Sequence, residues 1–258
     1  MNEISRGMDV TGRMPFKYLS VINGMLSRLA EEQGETMNAV ASLLENRFRA
    51  GGVLHVFGSG HAGIVTEELF YRAGGWIPVN PIFADGMMLN TRPITKTTAL
   101  ERLHGYAEIV MEGVPLQNSD VLLVHSVSGR NALPIEIALW AKSKGIPVIA
   151  LTSTVYSSAQ GSRHRSGKRL YEIADYVLNN MAEVGDAAIE LPKSRLRTGP
   201  TSTVIGIAIL QAILAEVAER MENAGLRAPL FVSANIDGGE EANRLAMEPY
   251  KGRLSYLL

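Results

Sequence analysis

Residues 53–72 read VLHVFGSGHAGIVTEELFYR. The apolar run Val53, Leu54, Val56 and Phe57 has the character of a buried strand. Gly58-Ser59-Gly60-His61-Ala62-Gly63 is a glycine turn, and Ile64 to Ala73 carries helical spacing. Strand, glycine turn and helix in that order predict half of a phosphate-binding site. Glycines let the backbone approach an anion, and the first free N–H groups of the helix point at it.

A second unit of the same kind follows. Strand Val121 to His125 feeds the turn Ser126-Val127-Ser128-Gly129-Arg130-Asn131, then a helix from Ala132 to Lys144 with Pro134 in its first turn. Gly145 stops that helix, and Pro147 to Leu151 forms the next strand. Such a βαβ unit is right-handed and predicts a mostly parallel sheet. Working outward, Leu19, Ile22, Leu26, Leu29, Met37, Val40 and Leu44 recur near helical period between Pro15 and Arg49. They predict one long or two shorter amphipathic helices, broken at Gly24 or Gly34, that dock on their own core or on another subunit. Trp76 to Val79 reads as a short strand and Asn80 to Lys96 as a loop; Thr97 or Thr98 opens a helix through Glu112. A polar loop spans Thr152 to Lys168, Leu170 to Ala174 is a helical turn, and Tyr176 to Leu178 and Ala187 to Leu191 are edge strands. A last helix, capped within Thr198 to Thr203, runs to Asn223 before Gly225. The whole predicts an α/β fold, a three-layer αβα sandwich: an N-terminal helical extension (1–52), a binding domain (53–225) and a C-terminal extension (226–258) whose role the residues do not reveal.

Composition narrows the function. With 25 basic and 26 acidic residues the net charge is −1, so no global field holds nucleic acid or an anionic membrane. The absence of cysteine excludes disulfides, thiolate metal sites and cysteine nucleophiles. MNEISRGMDVTGRM has no apolar leader, and the longest apolar run, Val204 to Ala215, is interrupted by Gln211 and falls short of the about 20 residues a bilayer requires. A cytoplasmic protein is expected.

The two units, GSGHAG and SVSGRN followed by a third buried strand, resemble the sugar isomerase (SIS) fold over roughly Pro15 to Asn223. The run Thr66-Glu67-Glu68-Leu69-Phe70-Tyr71-Arg72 resembles the first helix of its phosphoheptose isomerase branch. That resemblance implies a phosphorylated sugar as ligand and a homodimer or homotetramer with sites between subunits. Phosphate contacts would come from Ser126, Ser128 and the Gly129 N–H, with Asn131 where Ser or Thr is usual and Arg130 either adding a charge or facing solvent. Gly58, Ser59 and Gly60 would complete the pocket.

Aldose–ketose isomerisation needs a base that moves a proton between C1 and C2, and the matched carboxylate is Glu68. If both residues are helical, His61 lies on the same stripe roughly 10 Å away. His61 is the best acid partner; His104 on a polar helix face, His125 at a strand end and His164 in the basic loop are weaker. The branch places Gln and His, as acid–base groups and zinc ligands, on its last helix. Here TSTVIGIAILQAILAEV has no histidine, and Ile64 replaces the histidine of the first helix. No pair of histidines has metal-ligand spacing, so no metal or other cofactor is expected. Two other functions stay open. Val127-Ser128-Gly129-Arg130 also resembles the turn of the muramic acid 6-phosphate etherases, which would make the chain an amino-sugar-phosphate lyase, and a non-catalytic phosphosugar sensor is the third. Arg163, His164, Arg165, Lys168 and Arg169 are most simply a solvated surface, with folding over a phosphosugar from the same or a neighbouring subunit as the alternative, and Arg195 and Arg197 carry the same two readings.

Overall fold

The structure, a computed structural model, describes residues 14–257; the segment MNEISRGMDVTGR, read above for its lack of a leader, lies outside them. The chain opens with one continuous helix, α1 (Met14–Arg49). Gly24 and Gly34 each cost about 1 kcal/mol in a helix. Ile22, Met25, Leu29, Val40, Leu44 and Phe48 are buried on one face, at about 1.5–3 kcal/mol each. Burial wins, so α1 does not break. It docks on its own core.

Next come β1 (Leu54–Gly58), a single 3-10 turn (Gly60–Ala62), α2 (Gly63–Leu69) and β2 (Val79–Ile82). Two short helices, α3 (Thr95–Glu101) and α4 (Tyr106–Met111), precede β3 (Val121–His125). Then follow α5 (Ala132–Ser143), β4 (Val148–Thr152), α6 (Thr154–Ser158) and β5 (Tyr176–Asn179). A two-residue ribbon, β6 (Ile189–Glu190) with β7 (Arg197–Thr198), leads to α7 (Ser202–Asn223) and α8 (Gly239–Met247). The five strands β1 to β5 form one sheet in the order β2-β1-β3-β4-β5, parallel throughout.

Strand side chains alternate between two cores, as a doubly covered parallel sheet requires. Leu54, Val56, Leu123 and Ile149 face α1, α2 and α7, while Phe57, Leu122, Val124 and Val148 face α4 and α5. The three-layer αβα sandwich is thereby in place. Helix α7 is long and apolar enough to cross a membrane, but its buried side chains, among them Ile205, Ile209 and Val217, belong to the first core.

Several boundaries differ from expectation. The strand expected at Trp76–Val79 begins at Val79, because Trp76 instead stacks on Phe48 (centroids 4.7 Å apart) and bridges antiparallel to Leu230. The single helix expected through Glu112 is two, divided at Gly105, whose φ of +84° is left-handed. Ala187–Leu191 is no edge of the main sheet; Ile189–Glu190 pairs only with β7. The helix expected to reach Ala73 stops at Leu69: Phe70 turns extended against Phe83 and Tyr256, and Tyr71 takes φ +47° beside Phe231.

Both open edges of the sheet are covered, which blunts strand-to-strand association. At β5, the Gln33 amide exchanges hydrogen bonds with the Asn179 backbone, N–H to Gln33 Oε1 at 2.7 Å. At β2, Ser255 N–H and Oγ donate to Asn80 Oδ1 at 2.6 and 2.8 Å, while Leu254 is buried with Val53, Ile77 and Phe231. The C-terminal residues thus cover the β2 edge.

Candidate functional site

In a 2-1-3-4-5 sheet the chain reverses direction between β1 and β3, and a cleft opens there beyond the carboxyl ends of the strands. Gly58 of β1 pairs with His125 of β3, so both glycine turns leave the sheet side by side at that point.

The turn after β3 is fixed through its carbonyls. Val127 O accepts from Ser153 N (3.0 Å) and Thr152 Oγ1 (3.1 Å), Gly129 O from Leu170 N (2.8 Å), and Arg130 O from Arg163 N (2.7 Å). Among the described residues, the N–H groups of Val127, Ser128, Gly129 and Arg130 bond to no backbone carbonyl. Carbonyls tied back and amides left free make an anion nest. Gly129 has φ +55°, and a Cβ there would stand 3.0 Å from Ser157 Oγ and 3.1 Å from Thr152 Oγ1, so both conformation and space require glycine. Asn131 is the N-cap of α5 but makes no side-chain cap bond, since its Oδ1 accepts from Arg163 Nη1 at 2.9 Å. The first N–H groups of α5 therefore remain free for an anion. Ser126 is buried and Ser128 half-buried; Arg130 Nη1 donates to Gln160 Oε1 at 2.9 Å.

The turn after β1 is built differently. Gly60 N–H donates to Met87 O (2.8 Å), and a Cβ on Gly58 would meet Ala62 O at 2.3 Å. Ser59 is buried, and its Oγ has no hydrogen-bond partner among the described residues. His61 is exposed and sits in the 3-10 turn rather than on α2, so the helical stripe assumed for it and Glu68 does not exist. Glu68, in the last turn of α2, pairs with Arg72 and accepts from Gln211 Nε2 of α7 at 3.4 Å. Glu67, Glu68, Phe70, Tyr71, Arg72 and Ala73 line an open cleft of about 520 Å³ there.

His125 is wholly buried. Its Nδ1 lies 3.0 Å from Ala62 O, to which it donates, which leaves Nε2 a lone-pair acceptor without a partner among the described residues. Burial pushes the imidazole down to about 4, against the Ala62 carbonyl and the charge of Asp186. His104 lies in the turn between α3 and α4, not on a helix face, and His164 is buried, not solvated. Elsewhere in the basic loop Arg163, Arg165 and Lys168 are exposed and Arg169 is half-buried. Arg163 bonds to the second turn as described, and Arg169 to Glu172 and Ser158 O. Arg195 and Arg197 are exposed and pair with Glu190 and Glu183.

The SIS domain model matches residues 17–153, more than half of the chain. This chain belongs to the SIS-domain family. Members of that family bind phosphosugars. A UPF0309 protein of Shouchella clausii is 43% identical over 241 residues, 93% of this chain and 98% of its own length. One from Streptomyces avermitilis is 37% identical over 93% and 96%. Among solved structures, phosphoheptose isomerase of Neisseria gonorrhoeae superposes with a TM-score of 0.51 at 18% identity, covering 79% of this chain and 96% of that one. The likeness is one of fold. Two contributions from beyond residue 153 escaped the sequence reading. Gln211 was only the interruption of an apolar run, yet it is the residue of α7 that meets Glu68. Arg163 belongs to a loop 32 residues from Asn131, and only the fold brings the two together.

Proposed function

We propose that this chain is a cytoplasmic, homo-oligomeric sugar-phosphate aldose–ketose isomerase, with residues 53–225 as its binding domain and the flanking segments as extensions. Ser126, Ser128, Gly129 N–H, Arg130 and Asn131 grip the phosphate, and Gly58, Ser59 and Gly60 close the pocket. Glu68 takes the proton from one of C1 and C2 and returns it to the other through an enediol, with His61 as acid partner. The observation that carries this reading is an asymmetry in the buried polar atoms. Of the seven without a hydrogen-bond partner among the described residues, five are Ser59 Oγ, His125 Nε2, Arg130 Nε, Ser157 Oγ and Asn180 Nδ2. All five stand at or beyond the carboxyl ends of β1, β3, β4 and β5. Unpaired buried polar groups cost about 1–3 kcal/mol each, a cost that a ligand's oxygens and hydroxyls relieve.

The test is a thermal-shift panel of phosphorylated and unphosphorylated sugars, followed by deuterium exchange at C2 with those that bind. A ligand at 100 times its Kd adds about 2.7 kcal/mol of stability. Glu68→Gln is expected to slow exchange by about 10²- to 10⁴-fold while leaving the phosphosugar-induced shift in place. Stabilisation by unphosphorylated sugars alone refutes the phosphate grip; exchange undiminished in Glu68→Gln refutes the base.

A further inference from the structure

Around the second turn of α5 the fold gathers three groups that lie far apart in the chain. His104 comes from the turn between α3 and α4, Glu136 from the second turn of α5, and His164 from the loop after α6. Glu136 Oε1 lies 3.2 Å from His104 Nδ1 and 3.6 Å from His164 Nε2. One ligand atom from each of the three is within 4.8 Å of the others. A tetrahedral zinc with bonds of about 2.0–2.1 Å holds its ligands about 3.4 Å apart. The two separations from Glu136 Oε1 bracket that value.

The surroundings are those of a ligand set. Glu136 Oε2 accepts from Gly105 N–H at 2.8 Å, which fixes the carboxylate and leaves Oε1 to the two imidazoles. Ser166 holds the His164 ring in place, its Oγ 2.8 Å from Nδ1 and its backbone N–H directed at the same nitrogen from 3.3 Å. A cavity of about 470 Å³ bounded by Gly105, Glu108, Glu136, Trp140, His164 and Ser166 adjoins the cluster, so a fourth position stays open to water or a small ligand.

We infer that His104, Glu136 and His164 form a zinc-class divalent metal site with one exchangeable position. It shares no residue with Glu68 or α7 and does not depend on the phosphosugar reading. Its ligands tie the α3–α4 turn and the loop of Arg163 onto α5. Arg163 is itself bonded to Asn131, so the metal braces the segment that abuts the second turn.

The full chain, stripped with chelator, is titrated calorimetrically with zinc, and with cobalt for its visible ligand-field bands. Tight binding of a single equivalent is expected, with bands of a four-coordinate ion. His104→Ala removes an exposed side chain and is expected to weaken binding at least tenfold; Glu136→Gln does the same, and Glu68→Gln leaves it unchanged. Absence of binding at stoichiometric metal overturns the site, as does affinity that survives His104→Ala and Glu136→Gln or falls in Glu68→Gln.

Discussion

The two ends of the parallel sheet use the same kinds of polar residue to opposite effect. At the amino ends of the strands, Asp120, His55 and Asn80 are fully buried and paired. Asp120 accepts from Val53 N–H (2.9 Å), Gln117 N–H (2.7 Å), His55 Nε2 (3.1 Å) and Arg253 Nη2 (2.6 Å). Because Asn80 Oδ1 is held by Ser255, its Nδ2 faces and donates to His55 Nδ1, which assigns the ring its neutral Nε2–H tautomer. At the carboxyl ends, Ser59, His125, Ser157 and Asn180 are also buried, and each has an atom with no partner. A network satisfied but for Arg253 Nε fixes a fold; one with an unpaired atom on each of its members is built for something else to complete it.

The largest expected effect breaks the satisfied end. Asp120→Ala leaves buried donors from Val53, His55 and Gln117 and the Arg253 guanidinium without their acceptor, at about 3–5 kcal/mol. Burial pushes the Asp120 carboxyl up, but the hydrogen bonds from His55, Gln117 and Val53 outweigh it and hold the group below its ordinary value. Urea unfolding should show the midpoint falling sharply with the phosphosugar response of the folded fraction intact. A loss under about 1 kcal/mol would remove the contrast between the two ends.

The next effect is on pH. With the folded His125 near 4 and an unfolded histidine near 6.5, the unfolded chain binds more protons between those values. Stability contributed by the neutral ring is present above about 6.5 and lost as pH falls toward 4, by at most about 1.4 kcal/mol per unit. His125→Asn, which keeps a donor for Ala62 O, should flatten that segment of the stability profile. An unchanged slope would assign the acid sensitivity to other groups.

Gly129→Ala sharpens the comparison at the second turn. The left-handed φ and the 3.0–3.3 Å contacts that a Cβ would make with Ser157, Thr152 and Leu170 cost about 1–3 kcal/mol. Relief requires moving the turn, so stabilisation by phosphosugar should vanish while the fold persists. Retained ligand stabilisation would mean that the nest of N–H groups is not the grip.

How far the sequence disclosed all this follows from where each signal resides. Strands β1, β3 and β4 are covered on both faces and therefore read as continuous apolar runs, and their turns are local motifs, so the sandwich and both glycine turns were legible. Tertiary features were not. The apolar spacing of residues 97–112 runs straight across Gly105, and nothing local signals that this glycine turns left-handed. Glu136 and His104 stand 32 positions apart, so ligand spacing within a segment could not reveal their meeting. The tail was opaque because Arg253 and Ser255 act on Asp120 and Asn80, residues that a reading of the tail alone does not contain.

The smallest expected effect is the most discriminating. Ser59 Oγ is buried without a partner, so Ser59→Ala removes a desolvated hydroxyl and exposes no new donor or acceptor. Its unfolding free energy should stay within about 0.5 kcal/mol of the parent or rise slightly, whereas truncation of a bonded buried hydroxyl costs about 1 kcal/mol. Ser153 supplies that reference, since its Oγ donates to Ala182 O at 2.6 Å and accepts from Tyr156 N at 3.0 Å. If the Ser59 hydroxyl is there for the sugar phosphate, its loss appears only with ligand present, as a reduced thermal shift. Equal destabilisation of Ser59→Ala and Ser153→Ala without ligand would instead make both hydroxyls parts of the fold, and the two ends of the sheet would no longer differ in kind.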